Sequence, residues 1–392
     1  MKEPKIRFKE FKGEWETSRL DSCVYFLDSL RKPIDEGSRI KGIYPYYGAS
    51  GIVDYINDYI FDEELILLSE DGANITDRNY PVCFLANGKY WVNNHAHVLK
   101  VKDGFVNCFV SNAMERKDYS QYNTGMAMPK LNKEVCKNIP LTYPLIQEQQ
   151  SIASYFQHLD SLIQSTTKKI ESLKQVKAAS LQSMFPQEGE TTPRVRFKGF
   201  EGEWSICPLK YFAKKSTEKN ISMDYTITLT NSAEYGVINQ RDFFDHDISN
   251  DDHINGYYVI HHDDFVYNPR VSTAAPVGPI SRNRLGYSGV MSPLYLIFRV
   301  NGINKDFLSY YFKTTLWHNY MKLEGNTGAR FDRLAISDEQ FFNMPIYYPK
   351  DEEEQTAIAS YFTNLDRQIT LHTQRLEKLK QIKSACLDNM FV

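Results

Sequence analysis

Glu148–Phe185 reads EQQSIASYFQHLDSLIQSTTKKIESLKQVKAASLQSMF. Glu354–Phe391 reads EQTAIASYFTNLDRQITLHTQRLEKLKQIKSACLDNMF, with 20 of 38 positions identical at an offset of 206. Neither copy holds Pro or Gly. Apolar positions recur in steps of three and four: Phe156, Leu159, Ile163, Ile170 and Leu173 in the first, Phe362, Leu365, Ile369, Leu376 and Leu379 in the second. That spacing is the seam of a coiled coil. Both copies turn polar at the same rungs, Thr166 with His372 and Lys177 with Lys383. At ~1.5 Å per residue each copy predicts a rod of roughly 57 Å. A lone rod of this kind would expose a long apolar stripe, so the two are expected to pack side by side and antiparallel, with the seam buried.

A second match precedes each helix. Pro4–Trp15 and Pro193–Trp204 agree at 8 of 12 positions at an offset of 189. Asn123-Thr124-Gly125 matches Asn326-Thr327-Gly328, and Ile139-Pro140 matches Met344-Pro345. Between these anchors the copies share almost nothing. A period near 200 is too long for a solenoid and reads as a duplicated unit whose frame is kept and whose middle has changed. The expected organisation is a first variable domain over 1–147, a central long helix over 148–186, a linker and second variable domain over 187–350, and a closing helix over 351–392. Within the middles, Glu64–Ser69, Tyr90–Val92, Tyr257–Ile260 and Leu294–Phe298 read as strands. Each middle is therefore expected to be an α+β module, and the two to share one fold.

The 392 residues carry 46 basic and 49 acidic side chains, a net charge of −3. This disfavours a broadly basic nucleic-acid binder acting alone, though it says nothing of distribution. Six scattered cysteines, none closer than 25 residues to the next, form no CxxC, so neither a disulfide framework nor a thiolate zinc site is expected. No apolar run reaches membrane-spanning length and no signal segment opens the chain; a cytoplasmic protein is expected. Walker, dinucleotide-fold, HExxH, GxSxG and kinase signatures are missing. His95 and His97 form an HxH without a third ligand and read as core or loop histidines rather than metal ligands. His261–Asp264 reads as a solvated turn.

Side chains able to bond base edges cluster with aromatics and turn formers. In the first middle these are Tyr44, Tyr46, Tyr47, Ser50, Lys89, Tyr90, Asn94, His95, Tyr122, Asn123 and Lys130. In the second they are Asn231, Tyr267, Asn268, Arg270, Arg282, Arg284, Asn326, Arg330 and Arg333. The loops Tyr44–Gly51, Asn93–His97 and Tyr122–Lys130 are the favoured readers of the first middle. For each residue an ordinary surface or turn role stands beside that reading.

Pro140 through Pro144 into Glu148-Gln149, then Ile152-Ala153-Ser154-Tyr155-Phe156 and Leu159-Asp160, recur as Pro345 through Pro349, Glu354-Gln355, Ile358–Phe362 and Leu365-Asp366. With its two divergent middles, the whole chain resembles the specificity (S) subunit of a Type I restriction–modification enzyme. The resemblance implies that each middle is a target recognition domain reading half of a split double-stranded DNA site. It implies that the long helices set the spacer and dock two methylation (M) subunits, joined by restriction (R) subunits. S-adenosylmethionine, ATP and Mg would then belong to those partners, and this chain would be non-catalytic and without a cofactor of its own. A stand-alone DNA-binding regulator and a coiled-coil scaffold with two ligand-binding domains remain as alternatives.

Overall fold

The computed structural model describes residues 3–243, 251–326 and 332–392. It divides into two compact units: Met1–Lys168 with Thr373–Val392, and Lys169–His372. The long helices run Ile146–Ser183 and Glu352–Asn389, each two residues ahead of its repeated stretch; against the expected 148–186 and 351–392 the first starts two residues earlier, the second one later, and both end three residues sooner. Each helix is shared out, its start in one unit and its end in the other. Each unit is α+β.

In the first unit, a four-stranded antiparallel sheet has the order Val24–Phe26, Ala96–Val101, Leu65–Ser69, Cys83–Ala86. The second unit repeats it as Ala213–Lys215, Leu296–Val300, Phe265–Tyr267, Ile280–Arg282. The expected strand at Leu294–Phe298 thus begins two residues later. Leu65–Leu68 is apolar at every position because both faces of the strand are covered. Ile66 and Leu68 enter one core, and Leu65 and Leu67 enter another. Phe265 and Tyr267 face one core of the second unit, Val266 the other. A two-stranded ribbon closes each unit, Glu16–Arg19 with Pro140–Tyr143 and Ser205–Pro208 with Pro345–Tyr348.

The common fold expected of the middles holds for this sheet and ribbon. It does not extend to the outer layer. The first unit adds a second sheet, ordered Gly51–Ile56, Lys41–Gly48, Lys89–Val92, Phe61–Asp62. The second unit instead carries two separate ribbons, Leu229–Ser232 with Gly236–Asn239 and Tyr258–Ile260 with Gly289–Met291.

The repeated residues are internal struts, and the same strut appears in each unit. Arg7 grips Glu148 with two bonds of 2.8 Å and reaches Gly13 O; Arg196 grips Glu354 with two of 2.7 Å and reaches Gly202 O. Both glycines have positive φ, at 92° and 81°, where a side chain would be strained. Gln149 bonds Val106 N and Pro144 O, as Gln355 bonds Asn304 N and Pro349 O. The Pro…Glu-Gln signature is therefore the joint between domain and helix. Phe391 packs on Phe109 and Phe156 in one unit, Phe185 on Phe307 and Phe362 in the other. The tail of each helix completes the unit begun by the other copy.

The helices run antiparallel within each unit. In the first, Tyr155 meets Cys386 and Asp160 meets Lys383; in the second, Ser180 meets Tyr361 and Lys177 meets Asp366. The lysine rungs that break the apolar seam are thus paired with the aspartate of the opposite helix. Phe156, Leu159, Ile170, Leu173, Phe362 and Leu365 are buried. Ile163, Ile369, Leu376 and Leu379 are only half-buried, against expectation. A seam between two helices, unlike one inside a bundle, is open to solvent at its sides.

Candidate nucleic-acid interface

The C-terminal end of the buried strand Leu65–Ser69 gathers the loops of the first unit. Ser69 Oγ donates to Ala49 O, in the turn after Lys41–Gly48. Glu70 N donates to His95 O at 2.8 Å, and Asn93 N to Tyr47 O at 3.0 Å. Leu131 N donates to Glu70 O at 2.7 Å, and Gly72 N to Pro129 O at 3.0 Å. The three loops favoured by the sequence, Tyr44–Gly51, Asn93–His97 and Tyr122–Lys130, are therefore tied to one point.

A buried histidine and three half-buried charges hold them there. His97 lies inside the unit, with Nδ1 2.9 Å from Asp28 and Nε2 2.8 Å from Leu131 O. Since the carbonyl only accepts, Nε2 donates, and Nδ1 faces a carboxylate. Burial opposes a charge on this imidazole, but the bond to Asp28 and the nearness of Cys136 outweigh it and push the pKa up to about 10. Burial likewise opposes charge on Asp28, yet the His97 bond and Val98 N hold its carboxyl below the usual range. Arg31 completes the cluster: it bonds Glu70 Oε2, Ala96 O and Asn94 O, and lies 3.7 Å from Asp28. Arg31, Asp28 and Glu70 were missed from sequence. Nothing local marks a charge as buried when its partner lies 39 or 69 residues away.

His95, the exposed member of the HxH, bonds Asp71 at 2.8 Å through Nδ1. Asn94 and Ser50 are exposed, Tyr44 and Tyr47 half-buried. Tyr44 lies against Tyr59, whose ring carries the Lys89 ammonium at 4.6 Å. Tyr122 is half-buried. Asn123 Oδ1 accepts from Gly125 N and Lys130 N, closing the loop at its neck. Lys130 Nζ is 3.5 Å from Glu70. Tyr46 and Tyr90 are core residues, Tyr46 bonding Ile34 N.

The second unit repeats the loop anchor. Leu334 N donates to Pro269 O at 2.9 Å and Val271 N to Asp332 O at 3.0 Å, the counterparts of the Leu131 and Gly72 bonds. Asn268, Arg270 and Arg333 line a cleft of 470 Å³ with Asn231, Thr230, Gln240 and Tyr295. Arg270 is exposed, its guanidinium 3.7 Å from Asp332. Tyr267 and Asn231 act from inside: the tyrosine hydroxyl donates to Val277 O, and Asn231 Nδ2 to Val266 O and Pro279 O. Asn326 is paired in the backbone with Ala335; Arg330 lies outside the described residues. Arg282 and Arg284 are bound by Asp263 and Asp306. His261–Asp264 is the expected turn, closed by Asp264 N donating to His261 O at 3.1 Å, but it is not fully solvated: Asp264 is buried, accepts from His261 N and meets Arg299. No cluster of three or more metal-ligating side chains occurs among the described residues, and no described helix is long and apolar enough to cross a membrane.

A duplicated α+β frame with unlike loops at one strand end is the layout of a DNA-specificity subunit. The chain belongs to the type I restriction modification DNA specificity domain family, whose pattern it matches twice, over 12–175 and 203–381. It is similar to a putative type I restriction enzyme specificity subunit of Haemophilus influenzae, 32% identical over 150 residues. That alignment spans 38% of this chain and 38% of the relative. The MjaVIII specificity subunit of Methanocaldococcus jannaschii is 23% identical over 420 residues, 97% of this chain and 94% of that one. The crystal structure of a type I restriction–modification S subunit from M. genitalium has a TM-score of 0.66 at 12% identity, covering 100% of this chain and 99% of that one, a likeness of fold.

Proposed function

We propose that this chain reads a bipartite double-stranded DNA site, one half with each unit. The two long helices act as the ruler between the halves, and their outer faces dock two methylation subunits. These bind S-adenosylmethionine and modify adenine; restriction subunits use ATP and Mg for cleavage. The chain itself contributes recognition and no chemistry.

One observation carries this reading. The residues repeated between the copies, Arg7/Arg196, Glu148/Glu354, Gln149/Gln355 and Asp160/Asp366, are consumed by internal struts. What is left to face a ligand is the unlike set of loops, and identical frames cannot read different sequences. The net charge of −3 fits a subunit whose partners share the phosphate contacts.

The test exchanges Gly42–Lys130 for the corresponding segment of a relative and sequences the methylome. One half of the methylated motif changes; the other half and the gap stay. A motif altered in both halves, or in neither, refutes the assignment. Duplex binding by the isolated chain, as tight as with the methylation subunits, would instead indicate a stand-alone regulator.

A further inference from the structure

The loop that closes at Asn123 holds two long apolar side chains out in water. Met126 is fully exposed and Met128 is 61% exposed. The loop beneath them is held tightly. Asn123 Oδ1 takes Gly125 N and Lys130 N, and Thr124 donates to Lys130 O through both its amide and its hydroxyl. Gly125 lets the chain fold back on itself, since a Cβ there would stand 1.8 Å from Met128 O. The neck is bridged to Asp71, whose carboxylate bonds His95. Two methionines are thus presented on a stiff support, at the point where the base-reading loops meet.

A thioether is only a weak hydrogen-bond acceptor, so these residues contribute little of the donor–acceptor readout of base edges. They are slender, unbranched and polarizable. Two methionine side chains alone offer far less surface than a protein-docking interface buries. An apolar side chain projecting rigidly among groups that bond bases suits insertion between stacked bases. We propose that Met126, supported by Met128, is a wedge that enters a base step in the half-site read by the first unit and partly unstacks it. The inference rests on the reading that these loops face DNA.

The experiment uses the full chain assembled with its methylation subunits. Duplexes bearing the motif carry 2-aminopurine at successive positions other than the methylated adenine. A several-fold rise in fluorescence is expected at one step of the first half-site. The pair Met126→Ala and Met128→Ala abolishes it and weakens binding about tenfold, while the motif and the melting temperature stay unchanged. Met126→Leu retains the signal. No rise at any position, or a rise that survives in the double variant, overturns the wedge. Weaker binding of the methylation subunits with the DNA signal intact would assign the loop to a protein partner and overturn it equally. If Lys130→Ala and His95→Ala leave motif and affinity untouched, the reading of this face as the DNA face fails instead.

Discussion

Replacing His97 by Leu removes the imidazolium from a cluster that ties three loops together. His97 is 1% exposed and its partner Asp28 8%. The substitution strands a buried carboxylate and leaves Leu131 O without its donor. Breaking a buried ion pair by deleting one member costs about 3–5 kcal/mol. The rise of the His97 pKa from 6.5 to about 10 sets a ceiling of about 5 kcal/mol. Val98 N and Arg31 still serve Asp28, so the lower end applies, about 3 kcal/mol. For a unit of this size the melting temperature falls by about 6–12 °C. His97 is raised in the folded state, so its contribution is complete below pH ~6.5 and is lost as pH climbs through about 10. The variant therefore loses the alkaline slope of the parent. Asp28 runs the other way: its contribution stands above about pH 3.9 and is lost as pH falls through its lowered folded value. Denaturant unfolding across pH 2–11 measures both effects, and Asp28→Asn added to His97→Leu restores part of the loss. A cost under ~1 kcal/mol with the alkaline slope intact refutes the reasoning.

Glu354→Ala leaves Arg196 half-buried and unpaired, and destabilises the second unit by about 3–5 kcal/mol; Glu148→Ala destabilises the first by less, since Glu3 stays 3.8 Å from Arg7, as two-transition calorimetry reports. Gly125→Ala forces the loop away from Met128 O, costs about 1–3 kcal/mol, and degrades one half of the methylated motif while sparing the other. Arg270→Ala leaves melting unchanged, and if the guanidinium meets phosphate it lowers the log–log salt slope of DNA binding by about 1. A relaxed base preference would place Arg270 on a base edge instead.

The frame was legible because it is written twice. The helical period showed the rods, and the repeated Glu-Gln joint and the lysine rungs marked contacts, although their partners emerged only in three dimensions. Leu65–Ser69 was legible as a strand, because a short apolar run covered on both faces looks the same locally as it does in the fold. The candidate site was legible as loops but not as side chains. Tyr44 and Tyr267 carry the same ring in similar surroundings of sequence, yet one is half-buried beside Tyr59 and the other is sealed in the core.

Sequence alone determined the family, the duplication, the long helices and their polar rungs, since each depends on spacing along the chain or on likeness between two stretches of it. Tertiary structure alone decided that the tail of each helix completes the unit begun by the other copy, that one middle adds a sheet where the other adds ribbons, and that Arg31, Asp28 and Glu70 gather half-buried around the buried His97. Those are matters of burial and of pairing across tens to hundreds of residues. A side chain's charge, bonding and exposure depend on what is packed around it, and the order of residues along the chain does not state that.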